Sequence, residues 1–101
     1  MNPIATVLFV DDEERIVKLL KLMFQDKYRV LTATSGQQAL GILQSTDHID
    51  VVVSDQRMPE MTGVEFLKKV PGPHPDATRL LFTGYADISA VIAAINQGNV
   101  Y

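Results

Sequence analysis

The chain has 101 residues, enough for one domain with a modest core, and its 47% hydrophobic content argues against disorder and against a coiled coil. Twelve acidic against nine basic side chains give a net charge of -3, and only Lys68-Lys69 are adjacent among the basic ones, so neither direct nucleic-acid binding nor attraction to a membrane surface is expected. With no cysteine there are no disulfides, thiolate metal sites or cysteine nucleophiles, and Val7–Val10 is too short an apolar run to span a bilayer, so a cytoplasmic domain is expected.

Short β-branched runs flanked by breakers read as strands buried on both faces. The first is Ala5–Val10, which ends at Asp11-Asp12. Glu13 or Glu14 then opens a helix to Asp26, in which Ile16, Leu19, Leu20, Met23 and Phe24 fall at helical spacing and read as core. Tyr28–Ala33 is the second strand, and Ser35 offers an N-cap to a short helix whose Ala39, Leu40 and Leu43 share a face. The third strand runs from about Asp50 to Ser54 and is closed by Asp55. A loop through Met58-Pro59 and Gly63 leads to a helix carrying Val64, Phe66, Leu67 and Val70, with Lys68-Lys69 on its solvated face. Pro71-Gly72-Pro73-His74-Pro75 forbids regular structure and reads as an exposed connection. Arg79–Thr83 makes a fourth strand, and Asp87 caps a helix with Ile88, Val91, Ile92 and Ile95 as core, stopped by Gly98. Val100-Tyr101 opens a fifth strand. His48 and His74 fall in connections with no ligand-spaced carboxylate or second histidine, and read as solvated surface.

The alternation of strands and helices with short connections predicts a parallel α/β sheet, doubly wound with helices on both faces, and leaves the strand order open. In such a sheet the carboxyl ends of the strands share one edge, where ligands bind. Asp11, Asp12 and Asp55 are expected to meet there. Each has an ordinary reading alone: acids favour a helix N-terminus, and an aspartate commonly opens a loop. Together at two strand ends they repel by about 4 kcal/mol per pair at 4 Å and an effective dielectric near 20, so a shared proton or a hard cation must compensate. Magnesium suits the set, because it takes a few carboxylates and keeps waters that a phosphate can displace. Asp55, alone at its strand end, is the candidate nucleophile toward a phosphoryl group, with Asp11 and Asp12 as metal ligands. Thr83 adds a strand-end hydroxyl able to read a phosphoryl oxygen on Asp55.

These residues together, Asp11-Asp12 after strand one, Asp55 with Met58-Pro59 and Gly63, and Thr83 ending strand four, resemble the receiver domain of two-component response regulators. The resemblance covers residues 1–101 as a single domain. It implies the flavodoxin-like strand order 2-1-3-4-5, Mg2+-dependent phosphorylation of Asp55, and a sensor histidine kinase or phosphotransfer protein as donor. It also implies an effector domain or protein outside this chain, and no enzymatic activity beyond the domain's own phosphorylation and dephosphorylation. By resemblance Asp12 is the direct magnesium ligand and Asp11 its water-mediated neighbour, the main-chain carbonyl of Arg57 supplies a further ligand, and Thr83 reads the phosphoryl group. Gly84 leaves room for the donor, and Arg57 and Tyr85 stand where family members tune acyl-phosphate hydrolysis. The stretch Thr83-Gly84-Tyr85-Ala86-Asp87 is most similar to receivers joined to HD-type cyclic-dinucleotide phosphodiesterases.

Against the family pattern, a receiver truncated at Tyr101 is expected, with strand five incomplete and without the lysine that follows it, the aromatic switch residue or the last helix. Slower phosphorylation and self-association through an open strand-four edge are the expectations that follow. Three rival functions could use the same sheet edge. A haloacid-dehalogenase-type phosphatase wants a second acid two residues after the nucleophile, where Arg57 stands. Nucleotide or flavin binding wants a glycine-rich loop after strand one, where acids stand instead. A degenerate receiver serving only interaction or dimerisation is the remaining alternative.

Overall fold

Branched side chains pack well on a pleated surface, and the expected runs form strands β1 (Thr6–Val10), β2 (Arg29–Ala33), β3 (Val51–Asp55) and β4 (Thr78–Phe82). Between them lie helices α1 (Glu14–Phe24), α2 (Gly36–Ser45) and α3 (Gly63–Leu67). The computed structural model describes residues 4–82, within which every pairing is parallel and the order is β2-β1-β3-β4. This is the flavodoxin-like order as far as β4. Thr83, the helix after Asp87 and the strand opening at Val100 lie outside the described residues.

Alternation along β1 divides the core. Leu8 and Val10 join Val52 of β3, Ala39 and Leu43 of α2, and Phe66 and Leu67 of α3 in one cluster. On the other face Phe9 stacks against Phe24 of α1, with ring centroids 5.5 Å apart. The central strand β1 is buried along its whole length. β4, the outer strand of the described sheet, is not, and its Leu80 and Phe82 are exposed.

Local signals explain the helix starts. Ser35 Oγ accepts from the Gln38 amide at 3.0 Å, the cap expected for α2. Thr62 caps α3 in a reciprocal box with Glu65, a Thr-x-x-Glu signature carried in the sequence itself. The apolar stripe of α1 is only partly core. Val17 is buried and Ile16, Leu20 and Phe24 are half-buried, but Leu19 and Met23 are 53% and 61% exposed. The stripe is wider than the face α1 turns to the sheet, so its flank stays in solvent.

The proline-rich connection also differs from expectation, because His74 is buried rather than solvated. Its Nε2 donates to the main-chain carbonyl of Leu43 at 2.7 Å. That carbonyl is one of the last four of α2, which have no partner within the helix. The ring therefore closes the end of α2 from 31 residues away. Its own amide donates to the Val70 carbonyl at 2.9 Å, holding the turn in place. His48 is solvent-exposed as expected, yet it has a carboxylate partner: its Nε2 lies 2.6 Å from Asp50 Oδ1.

Asp50 ties the amino edge of the sheet together. Its Oδ2 accepts from the Thr6 amide at 2.7 Å, while its own amide and carbonyl bond Thr6 and Thr78. The Thr6 amide, foremost, and then His48 hold the Asp50 carboxyl below its ordinary pKa of 3.8. The depressed value makes the sign definite: this stabilisation is fully present above the unfolded-state pKa and is lost as pH falls through the lower folded-state pKa. Asp50→Asn should cost about 1–2 kcal/mol near neutrality, a charge-assisted bond at a partly solvated position. Chemical denaturation at pH 7 and at pH 3 should show the gap between variant and wild type shrinking in acid.

Candidate functional site

Register brings the candidate acids together. Val10 of β1 pairs with Ser54 of β3, so the next residues, Asp11 and Asp55, leave adjacent strands side by side at the carboxyl edge. Asp12 follows in the turn into α1. Carboxylate oxygens of Asp11, Asp12 and Asp55 all lie within 4.8 Å of one another. Asp11 is buried, Asp55 half-buried and Asp12 exposed. Among the described residues these are the ones placed to hold a metal ion.

Asp11 is anchored by the start of α1. Its Oδ1 accepts from the Glu13 amide at 2.9 Å, and its own amide donates to the Ala33 carbonyl at 3.2 Å. Burial, the largest influence, pushes its carboxyl above the ordinary value of 3.8; the Glu13 amide pulls it back, and the charges of Asp55, Asp12 and Glu13 push it up further. A hard cation answers that strain directly, because it favours the ionised form of every oxygen it touches. The donor set, carboxylate oxygens with one face open to solvent, fits magnesium rather than a soft or nitrogen-seeking metal.

The loop after β3 shapes the other wall. Gln56 Oε1 accepts from the Val64 amide at 3.0 Å, a contact not anticipated from the sequence. Ser54 Oγ donates to the Asp55 carbonyl at 2.9 Å. Gly63 packs directly against that carbonyl: a Cβ at Gly63 would stand 2.2 Å from it. Glu60, at φ 69°, takes the left-handed turn after Pro59, a conformation that costs a non-glycine residue about 1–2 kcal/mol. An open cavity of about 410 Å³ beside the acids is lined by Asp12, Gln56, Arg57, Met58, Pro59 and Thr62. Arg57 itself is exposed at this rim. Phe82 pairs opposite Asp55, and Thr83 is the next residue in the chain but lies outside the described residues. No described helix is long and apolar enough to cross a membrane.

Comparison with known proteins agrees with this arrangement. The family model for the response regulator receiver domain matches residues 7–101. The hydrogenase transcriptional regulatory protein HoxA of Cupriavidus necator is 41% identical over 97 residues, which is 96% of this chain and 20% of HoxA. The signal receiver domain of an HD domain-containing protein from Pseudomonas fluorescens Pf-5 superposes with a TM-score of 0.87 at 32% identity, over 98% of this chain and 79% of that one. A crystal structure of an uncharacterized protein from Neptuniibacter caesariensis gives a TM-score of 0.87 at 41% identity, over 95% of this chain and 71% of that one. The chain spans about a fifth of the length of curated relatives such as HoxA and the transcriptional regulatory protein GlrR of Escherichia coli. With strand order, acidic edge and sequence match in agreement, the chain belongs to the response regulator receiver domain family.

Proposed function

We propose that Asp55 accepts a phosphoryl group from a histidine kinase or phosphotransfer protein, in a Mg2+-dependent reaction that this domain performs on itself. The observation that carries the reading is the meeting of the Asp11, Asp12 and Asp55 carboxylates within 4.8 Å at the carboxyl edge. A carboxylate oxygen of Asp55 attacks phosphorus, the bond from phosphorus to the donor breaks, and an acyl phosphate remains until water cleaves it. Asp12 would hold Mg2+ directly and Asp11 through water, with Asp55 and the main-chain carbonyl of Arg57 as the further protein ligands. When bound, the ion offsets the negative charge of nucleophile and phosphoryl group alike.

Thr83 donates its hydroxyl to a phosphoryl oxygen on Asp55, a role supported by the pairing of its predecessor Phe82 with Asp55. A charge-assisted bond of about 1.5–3 kcal/mol is enough to shift a loop between two conformations. The relay is cytoplasmic, and its output is an effector segment or protein beyond this chain. Relatives named as a transcriptional regulatory protein and as an HD domain-containing protein share the same unit, which supports a receiver serving interchangeable outputs.

Beryllofluoride with Mg2+ mimics the acyl phosphate and tests the reading. Beyond the shifts that Mg2+ alone produces, a further change in amide NMR shifts at the carboxyl edge should require beryllofluoride and Mg2+ together, and that further change should vanish in Asp55→Asn. Binding that persists in Asp55→Asn would sink the proposal.

A further inference from the structure

Gln56 takes no part in the phosphoryl transfer proposed above, yet its side-chain oxygen and its main-chain carbonyl are both engaged by the first turn of α3. Its side-chain Oε1 accepts from the Val64 amide and its main-chain carbonyl accepts from the Gly63 amide, each at 3.0 Å. These amides are among the donors that a helix start leaves without partners inside the helix. Thr62 and Glu65 satisfy others, through Thr62 Oγ1 to the Glu65 amide and Glu65 Oε1 to the Thr62 amide, each at 3.2 Å. One residue of the loop after β3 is thus fastened twice to the helix that follows it.

The Gln56 carbonyl and the Arg57 amide share one rigid peptide plane. The next peptide, which bears the Arg57 carbonyl, hangs from that plane through the single Cα of Arg57, so holding the plane limits where the carbonyl can reach. On the other side the Asp55 carbonyl lies against Gly63, close enough to exclude a Cβ. The residues on either side of Gln56 are those assigned to the cation, Asp55 through its carboxylate and Arg57 through its main-chain carbonyl.

We infer that Gln56 is a positioning residue for the metal: its side-chain bond to Val64 clamps the loop onto α3 and keeps the Asp55 carboxylate and the Arg57 carbonyl aimed at one point. The inference rests on the proposed Mg2+ site. Groups that orient metal ligands without touching the ion commonly change affinity about 10–100-fold.

Isothermal titration with MgCl2 tests it on the full chain. Gln56→Leu, which keeps the size and removes the acceptor, should weaken Mg2+ binding about tenfold, the lower end of that range. Gln56→Glu, which keeps an acceptor for the Val64 amide, should restore it. Glu65→Ala, which loosens the α3 cap elsewhere, should lower the melting temperature measured in EDTA and leave Mg2+ affinity unchanged. Should leucine prevent folding, Gln56→Ala carries the same expectation. Wild-type affinity in a folded Gln56→Leu, no recovery in Gln56→Glu, or an equal loss in Glu65→Ala would each overturn the inference. A wild-type chain that binds no Mg2+, or an Asp12→Asn variant that binds it equally well, overturns the metal site itself and this role with it.

Discussion

Gly63→Ala is expected to destabilise the domain by about 3 kcal/mol, the upper end of what overpacking costs, and to abolish phosphoryl uptake from acetyl phosphate. The reason is space rather than backbone conformation, because Gly63 does not have a positive φ. An added Cβ would lie 2.2 Å from the Asp55 carbonyl oxygen and 2.7 Å from Leu81 Cδ1. The first of these is main chain and cannot swing aside. Relief requires α3 to move away from β3, which withdraws Phe66 and Leu67 from the core and releases the loop bearing Asp55. Gly36 provides the comparison. A Cβ there meets Met61 Sδ at 2.7 Å, the flexible part of a side chain, so Gly36→Ala should cost much less. Urea denaturation of both variants, with a phosphorylation assay of the folded protein, measures the difference. A Gly63→Ala variant as stable and as active as wild type would contradict this packing.

Asp12→Asn is expected to act in opposite directions with and without metal. Without Mg2+ the substitution removes one of three clustered charges within 4.8 Å. Asp12 is exposed, so the relieved repulsion is close to the water value of about 1 kcal/mol, and the metal-free variant should melt at a higher temperature than wild type. With Mg2+ the order reverses, because a direct ligand of the proposed site is gone. Affinity should fall by about a hundredfold, the top of the range even for groups that do not touch the ion, and phosphorylation at millimolar Mg2+ should fall with it. Wild type gains stability from Mg2+ by mass action, whereas the variant should gain little. Melting curves in EDTA and in excess MgCl2 separate the two effects. A variant that loses stability in EDTA would show that Asp12 supports the fold rather than the cation.

Both predictions concern a site whose parts differed in how visible they were. The aspartates were legible because each sits at a strand end, where an apolar run stops and a carboxylate begins. That boundary is local. Their convergence followed from parallel pairing, and the Val10–Ser54 register supplied the side-by-side placement of Asp11 and Asp55. Gln56 carried no such mark, since a glutamine in a loop resembles any solvated residue until the partner amide eight positions later is in place. The Thr62-Glu65 box, by contrast, is local, because its two residues lie three positions apart.

His74 is buried although its neighbours point to solvent. Its proline neighbours point to an irregular connection, and irregular connections run on the surface. The prolines break the helix, but they also fix a tight turn that delivers the ring to the end of α2. Likewise, the spacing in α1 identified an amphipathic helix without showing how much of its stripe the sheet would cover.

By itself, the order of residues determined the alternation of strands and helices, the caps at Ser35 and Thr62, and the acids waiting at two strand ends. These depend on dihedral preferences, side-chain periodicity and neighbours within a few positions. Tertiary structure alone decided the closure of α2 by His74, the clasp of Asp50 on Thr6, the clamp of Gln56 on α3 and the close approach of Gly63 to Asp55. Each joins residues from 8 to 44 positions apart, a separation beyond the reach of preferences set by immediate neighbours.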